Sequence, residues 1–96
     1  MRPSIALQNH RNEIREIALR HRVKNVRVFG SVLHGNDTED SDLDLLVEPT
    51  KEITLFDIGA IHYELKELLG VTVDVLTPGA LPDSFRSLVM QEAELL

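Results

Sequence analysis

Asp42 and Asp44 lead directly into an apolar run, Leu45-Leu46-Val47, and that placement constrains the fold more than any other feature of the chain. A β-strand turns successive side chains to opposite faces, so residues i and i+2 stand side by side on one of them. Two carboxylates held that way repel each other unless a cation lies between them. The spacing alone carries little weight: seven aspartates in 96 residues produce about half an Asp-x-Asp by chance, and Asp40/Asp42 is a second one. Position separates the two. Asp40 lies further back in a polar loop and reads as solvated, whereas Asp42 and Asp44 open a strand.

The rest of the chain supplies a frame for that strand. Ser4 to His21 has helical period, with Leu7, His10, Ile14, Ile17, Ala18 and His21 on one stripe. Val26 to Phe29 alternates as a short strand that Gly30 ends. Ser31 to His34 suits one helical turn before a polar loop, and Leu43 to Val47 is a strand stopped by Pro49. Thr54, with Asp57 in the first turn, caps a helix to Leu69, and Gly70 takes its C′ position. The inward stripe of that helix is read as Leu55, Ile58, His62, Leu65 and Leu69. Val71 to Leu76 alternates as a third strand, and Pro82 to Glu94 reads as a last helix anchored by Phe85, Leu88 and Val89. Three strands with helices able to cover one face make a small α/β layer structure. Residues 1–96 are expected to form a single domain.

Two further features bear on the carboxylates. Gly30-Ser31, after a strand and at the start of a helical turn, offers backbone N–H groups and a hydroxyl to a phosphate. Asp74 interrupts an otherwise apolar, β-branched strand, where an acidic group without a partner is costly. If the second and third strands are neighbours, Asp74 shares a face with Asp42 and Asp44. Hard oxygen ligands of this kind favour Mg²⁺ or Mn²⁺, which complete their shell with substrate phosphates and water. Three such carboxylates suit two-metal nucleotidyl transfer, with metals about 4 Å apart. The alternative is that Asp74 is an edge-strand aspartate meeting solvent.

The run Gly30-Ser-Val-Leu-His-Gly35, followed by Ser41-Asp-Leu-Asp-Leu-Leu-Val47 and later by Val73-Asp-Val-Leu76, resembles the DNA polymerase β-like nucleotidyltransferase superfamily. Within it, the chain is most similar to the minimal nucleotidyltransferases of prokaryotic HEPN/MNT toxin–antitoxin pairs. The resemblance implies a small mixed β-sheet covered by helices, the polymerase β-like core. It implies that Gly30 and Ser31 hold nucleotide phosphates, and that Asp42, Asp44 and Asp74 are catalytic and bind two Mg²⁺ ions, with Mn²⁺ as a substitute. Asp74 would also assist deprotonation of the acceptor hydroxyl. ATP is the implied substrate, and the implied acceptor is a tyrosine of a HEPN-family ribonuclease toxin, silenced by AMP transfer. One departure stands out: Leu33-His34 occupies the place of the family's usual Ala-Arg, replacing a fixed positive charge with a partly charged one.

Composition limits the alternatives. A net charge of −6 argues against stable nucleic-acid binding, although Arg11, Arg15, Arg20, Arg22, Lys24 and Arg27 crowd the first third and Asp37 to Glu48 is acidic. No cysteine is present, which excludes thiolate metal sites and fits a reducing cytoplasm. No apolar run approaches the roughly 20 residues that cross a bilayer, and Met1-Arg2-Pro3 does not open a secretory signal. His10, His21, His62 and Tyr63 read as packing or surface residues. So short a chain supplies little wall for an acceptor, so the acceptor is expected on another protein. The competing readings are an antitoxin that acts only by covering its partner, and a homodimeric enzyme for small molecules.

Overall fold

The computed structural model describes residues 1–96. Helix α1, Pro3–Leu19, starts on a proline whose fixed φ suits the first helical position, and it kinks at His10 (φ −128°, ψ 23°). Arg22, at φ 63°, turns the chain into strand β1, Val23–Phe29. There follow a short helix α2, Gly30–His34, strand β2, Leu43–Pro49, helix α3, Leu55–Leu69, and strand β3, Val73–Leu76. A 3-10 turn at Pro78–Ala80 leads to helix α4, Asp83–Glu92, and a two-residue strand β4, Glu94–Leu95. The sheet order is β3-β2-β1-β4, with β1 antiparallel to both neighbours and β2 parallel to β3. The expected mixed sheet with covering helices is therefore what forms.

Strand alternation divides the sheet into two unlike faces. Val26, Val28, Leu43, Leu45, Val47 and Val73 point to one, where Ala6, Leu7, Ile14 and Ala18 of α1 and Ile61, Leu65 and Leu69 of α3 complete the main core. Truncating a wholly buried member such as Ile14, Leu45 or Leu65 to alanine costs about 2–5 kcal/mol. The other face carries a smaller cluster of Phe29, Leu46, Leu81 and Val89, which seats α4. No helix is long and apolar enough to cross a membrane.

Helix α3 begins as its sequence dictates. Thr54 and Asp57 form a reciprocal capping box, with Thr54 N–H donating to Asp57 Oδ2 at 2.8 Å and Asp57 N–H to Thr54 Oγ1 at 3.3 Å. Gly70 closes the helix at φ 67°.

Several expectations need correction. Leu55 and His62 are not inward: Leu55 is 89% exposed, and Ile61 fills the buried position beside His62. The phase of the stripe is set by Ile58, Ile61, Leu65 and Leu69, while the first turn lies beside the strand ends, near Pro49 and Thr77, rather than over the sheet. Phe85 and Leu88 do not anchor α4; both are exposed, and Val89 is its buried residue. Helices cover both faces, because α4 packs on the second. The last helix stops at Glu92, and a fourth strand follows. That strand is too short to show a period. Backbone pairing with β1 holds it, and Arg11 and Arg15 donate to the Leu95 and Leu96 carbonyls at 3.3 and 3.2 Å.

Candidate active site

In the ladders, Phe29 stands opposite Asp44, and Asp44 stands opposite Asp74. The expected neighbouring of the second and third strands is thus met, and Asp44 and Asp74 share the second face with Phe29 and Leu46. Asp42, half-buried, immediately precedes β2. Asp44 is also half-buried, and Asp74 is exposed. Asp40 is exposed, as its loop position suggests.

Gly30 meets Asp44 from the end of β1. Its φ of 73° is one that side-chain-bearing residues rarely adopt, and a Cβ placed there would overlap Asp44 Oδ2 and stand 3.1 Å from Cγ. Glycine is therefore required twice over, by conformation and by space. Ser31 follows in the first turn of α2, whose start has no side-chain cap. Gly35, at φ 75°, ends the helix.

The carboxylates stress one another. Burial pushes the Asp44 carboxyl up from 3.8 to about 6, reinforced by the charges of Asp74 and Asp42. No lysine, arginine or histidine forms an ion pair with any of the three; the salt bridges of the protein lie elsewhere. This uncompensated set of oxygen donors fits a hard divalent cation. No three histidine, aspartate or glutamate side chains are grouped so that they could hold a metal ion by themselves. The two surface concavities lie elsewhere, one along α1 around Ile17 and one beside the start of α3.

Two residues on segments that flank the carboxylates in sequence or space escaped the sequence reading: Asp37, in the loop before Asp42, and Glu92, against α2. Asp37 looked like part of a solvated acidic loop, yet it is only 6% exposed and accepts a hydrogen bond from Ser4 N–H at 2.9 Å. That bond holds its carboxyl below the usual carboxylate range, and it ties the loop between Gly35 and Asp42 to the start of α1. Its partner is 33 residues away, so no local pattern announces it. Glu92 is the second: its Oε2 meets His34 Nε2 at 3.1 Å, joining the end of α4 to the end of α2.

Comparison with known proteins agrees with this geometry. The family model for the nucleotidyltransferase domain matches residues 7–96. A Methanocaldococcus jannaschii protein with a provisional protein-adenylyltransferase name is 38% identical over 86 residues, 85% of this chain and 92% of its own. Protein adenylyltransferase MntA of Thermococcus cleftensis is 34% identical over 86 residues, 90% of this chain and 84% of its own. A solved structure with a provisional minimal-nucleotidyltransferase name superposes with a TM-score of 0.86 at 40% identity, covering 97% of this chain and 95% of that one. A chain from a toxin–antitoxin crystal structure with AMP-PNP gives a TM-score of 0.74 over 88% of this chain and 69% of that one; at 17% identity it speaks for the fold alone. The mixed sheet with its covering helices is a nucleotidyltransferase core, and this chain is a member of the nucleotidyltransferase domain family.

Proposed function

We propose that the protein transfers AMP from ATP to a hydroxyl, that of a tyrosine, on a cognate HEPN-type toxin protein and thereby neutralises it. The observation that carries this reading is the register of Asp44 against Asp74 with Gly30 backing Asp44, which gathers unneutralised carboxylates beside a glycine–serine turn. The protein-adenylyltransferase names of relatives above 30% identity support protein as the acceptor. The toxin–antitoxin context of structures with the same fold suggests which protein.

Asp42 and Asp44 would hold the Mg²⁺ ions, and Asp74 would join them at the catalytic one. When bound, Mg²⁺ supplies Lewis-acid neutralisation of the triphosphate. Gly30 and Ser31 donate backbone N–H groups and a hydroxyl to the phosphates, fixing the α-phosphorus before the exposed Asp74. The acceptor oxygen attacks that phosphorus in line, its proton passes to Asp74, and the bond to pyrophosphate breaks.

The test is incubation of the protein with labelled ATP, Mg²⁺ and the product of the neighbouring gene. Label on a tyrosine of that partner, lost in Asp42→Ala/Asp44→Ala together with neutralisation, is the expected result. Neutralisation that survives the double substitution, with no label transferred, would leave an antitoxin that acts by binding alone. A labelled small product formed without the partner would point to a small-molecule nucleotidyltransferase.

A further inference from the structure

Helix α3 covers the sheet with one side and leaves a patterned face on the other. Ile58, Ile61, Leu65 and Leu69 turn inward. Phe56 and Tyr63 are seven residues apart, so they share a side of the helix, and they are 89% and 64% exposed. Gly59 and Ala60 stand between them, three and four residues after Phe56. The outer face is therefore an aromatic–small–aromatic seam two turns, about 10 Å, long. Nothing within the fold calls for Gly59. Its backbone lacks the positive φ of Gly30 and Gly70, and a Cβ there would meet nothing within 4 Å. Glycine inside a helix weakens it relative to alanine, and what it offers in return is close approach of a second backbone. Charges bracket the seam: Lys51 and Glu52 in the turn before the helix, Lys66 and Glu67 near its end, all exposed. None of the four forms an ion pair within the protein.

We propose that this face of α3 pairs with the same face of a second copy of the chain, the two helices antiparallel and crossing at Gly59–Ala60. A two-fold axis at that point sets Phe56 of one copy beside Tyr63 of the other, with the small residues letting the helices close between them. It also brings the Lys51-Glu52 turn of each copy to the Lys66-Glu67 end of the other. Lys51 then meets Glu67 and Glu52 meets Lys66, so charges left unpaired in one chain find opposite charges in its copy. That match is what selects a second copy as the occupant. The four charges sum to zero in a chain of net charge −6, so the excess negative charge lies elsewhere and this face meets its like without repulsion. The two aromatic side chains at their observed exposures present roughly 300 Å², against about 800 Å² a side in a standard interface, so the dimer is a weak, concentration-dependent one. Asp44 and Asp74 lie on the opposite face of the sheet from α3, so pairing leaves them uncovered in both copies. The proposal does not depend on the nucleotide reading.

The test is sedimentation equilibrium of the full chain from about 1 μM to about 1 mM, the range in which an interface this small dissociates. Wild type should pass from monomer to dimer across that range. Phe56→Glu and Gly59→Leu should each weaken the dimer about tenfold or more. Both positions face solvent in the monomer, and circular dichroism that matches wild type would confirm intact folds. Lys66→Glu should weaken the dimer as well, and adding Glu52→Lys to it should restore the dimer, because the antiparallel pairing is then complete with its signs exchanged. Wild type that stays monomeric at the highest concentration, or Phe56→Glu and Gly59→Leu chains that dimerise like wild type, would overturn the proposal. Failure of the double charge exchange to restore what Lys66→Glu loses would overturn the antiparallel arrangement. A monomeric wild type whose binding to the neighbouring-gene product is lost in Phe56→Glu would overturn it too, and assign the face to that protein.

Discussion

Replacing Gly30 with alanine separates backbone strain from disruption of the site, because the same fold contains a matched control. Gly30 and Gly70 both hold left-handed backbone, at φ 73° and 67°. An L-residue in that conformation costs about 1–2 kcal/mol, so both alanine variants should lose that much. In a domain of this size, each kcal/mol lowers the thermal midpoint by roughly 4–8 °C. The difference lies in what the new methyl meets. At Gly70 there is nothing within 4 Å, whereas at Gly30 the methyl occupies the space of the Asp44 carboxylate. Gly30→Ala must therefore displace Asp44 or the turn carrying Ser31. A misplacement near 1 Å in a transfer site costs on the order of 100-fold in kcat/KM. The assays are thermal unfolding and labelled-AMP transfer on both variants. Gly70→Ala should melt earlier but transfer normally once folded, and Gly30→Ala should melt earlier and fail to transfer. Equal transfer by the two variants would refute the claim that Gly30 exists to make room for Asp44.

Three other perturbations bear on the same residues. Asp44→Asn should abolish transfer while raising the midpoint of the metal-free protein. Ionising Asp44 in the fold, where its carboxyl sits at about 6, costs up to about 3 kcal/mol, reduced to roughly 1 kcal/mol by solvent screening. Between the unfolded value near 4 and the folded value the native state binds more protons, so metal-free wild type should lose stability as pH rises through that window. Urea unfolding at pH 4.5 and 7 checks this, and a flat wild-type profile would count against it. Asp37→Ala should lower the urea midpoint at neutral pH by leaving Ser4 N–H unpaired. Because the Asp37 carboxyl is held low, its contribution is present above the ordinary carboxylate range and lost as pH falls through the folded value, so the variant should show a shallower acid limb. Finally, Mg²⁺ at about 100 times its Kd should stabilise wild type by about 2.7 kcal/mol, seen as a raised midpoint that chelation reverses and Asp42→Ala/Asp44→Ala abolishes.

What the sequence disclosed follows from the range of each interaction. The boundaries of α3 were legible because its capping box and its terminal glycine act within a few residues. The shared face of Asp44 and Asp74 was anticipated from strand alternation, on the condition, met in the fold, that β2 and β3 are neighbours. The facing of α3 was misjudged by one residue, since Ile61 and His62 fit a helical stripe almost equally until the sheet selects between them. Strand β4 and Asp37 were beyond reach. Each is held by partners distant in sequence: β1, Arg11 and Arg15 in one case, and Ser4 in the other. The flank of α4 was taken for an anchor because Phe85 and Leu88 are apolar, and hydropathy does not say whether an apolar residue meets the core or something outside the protein.

The two faces of the sheet explain how the carboxylates can be held together against their own repulsion. On the core face, Leu43 pairs with Val73 and Leu45 with Val75, and Leu43, Leu45 and Val73 are almost wholly buried. Slipping β3 by one residue along β2 would turn this apolar set outward and lose several kcal/mol of burial. The same register places Asp44 directly opposite Asp74 on the other face. The carboxylates therefore cannot relax apart by sliding; they can shed the strain only by taking up a proton or a cation. A buried core thus enforces a geometry that its exposed face disfavours.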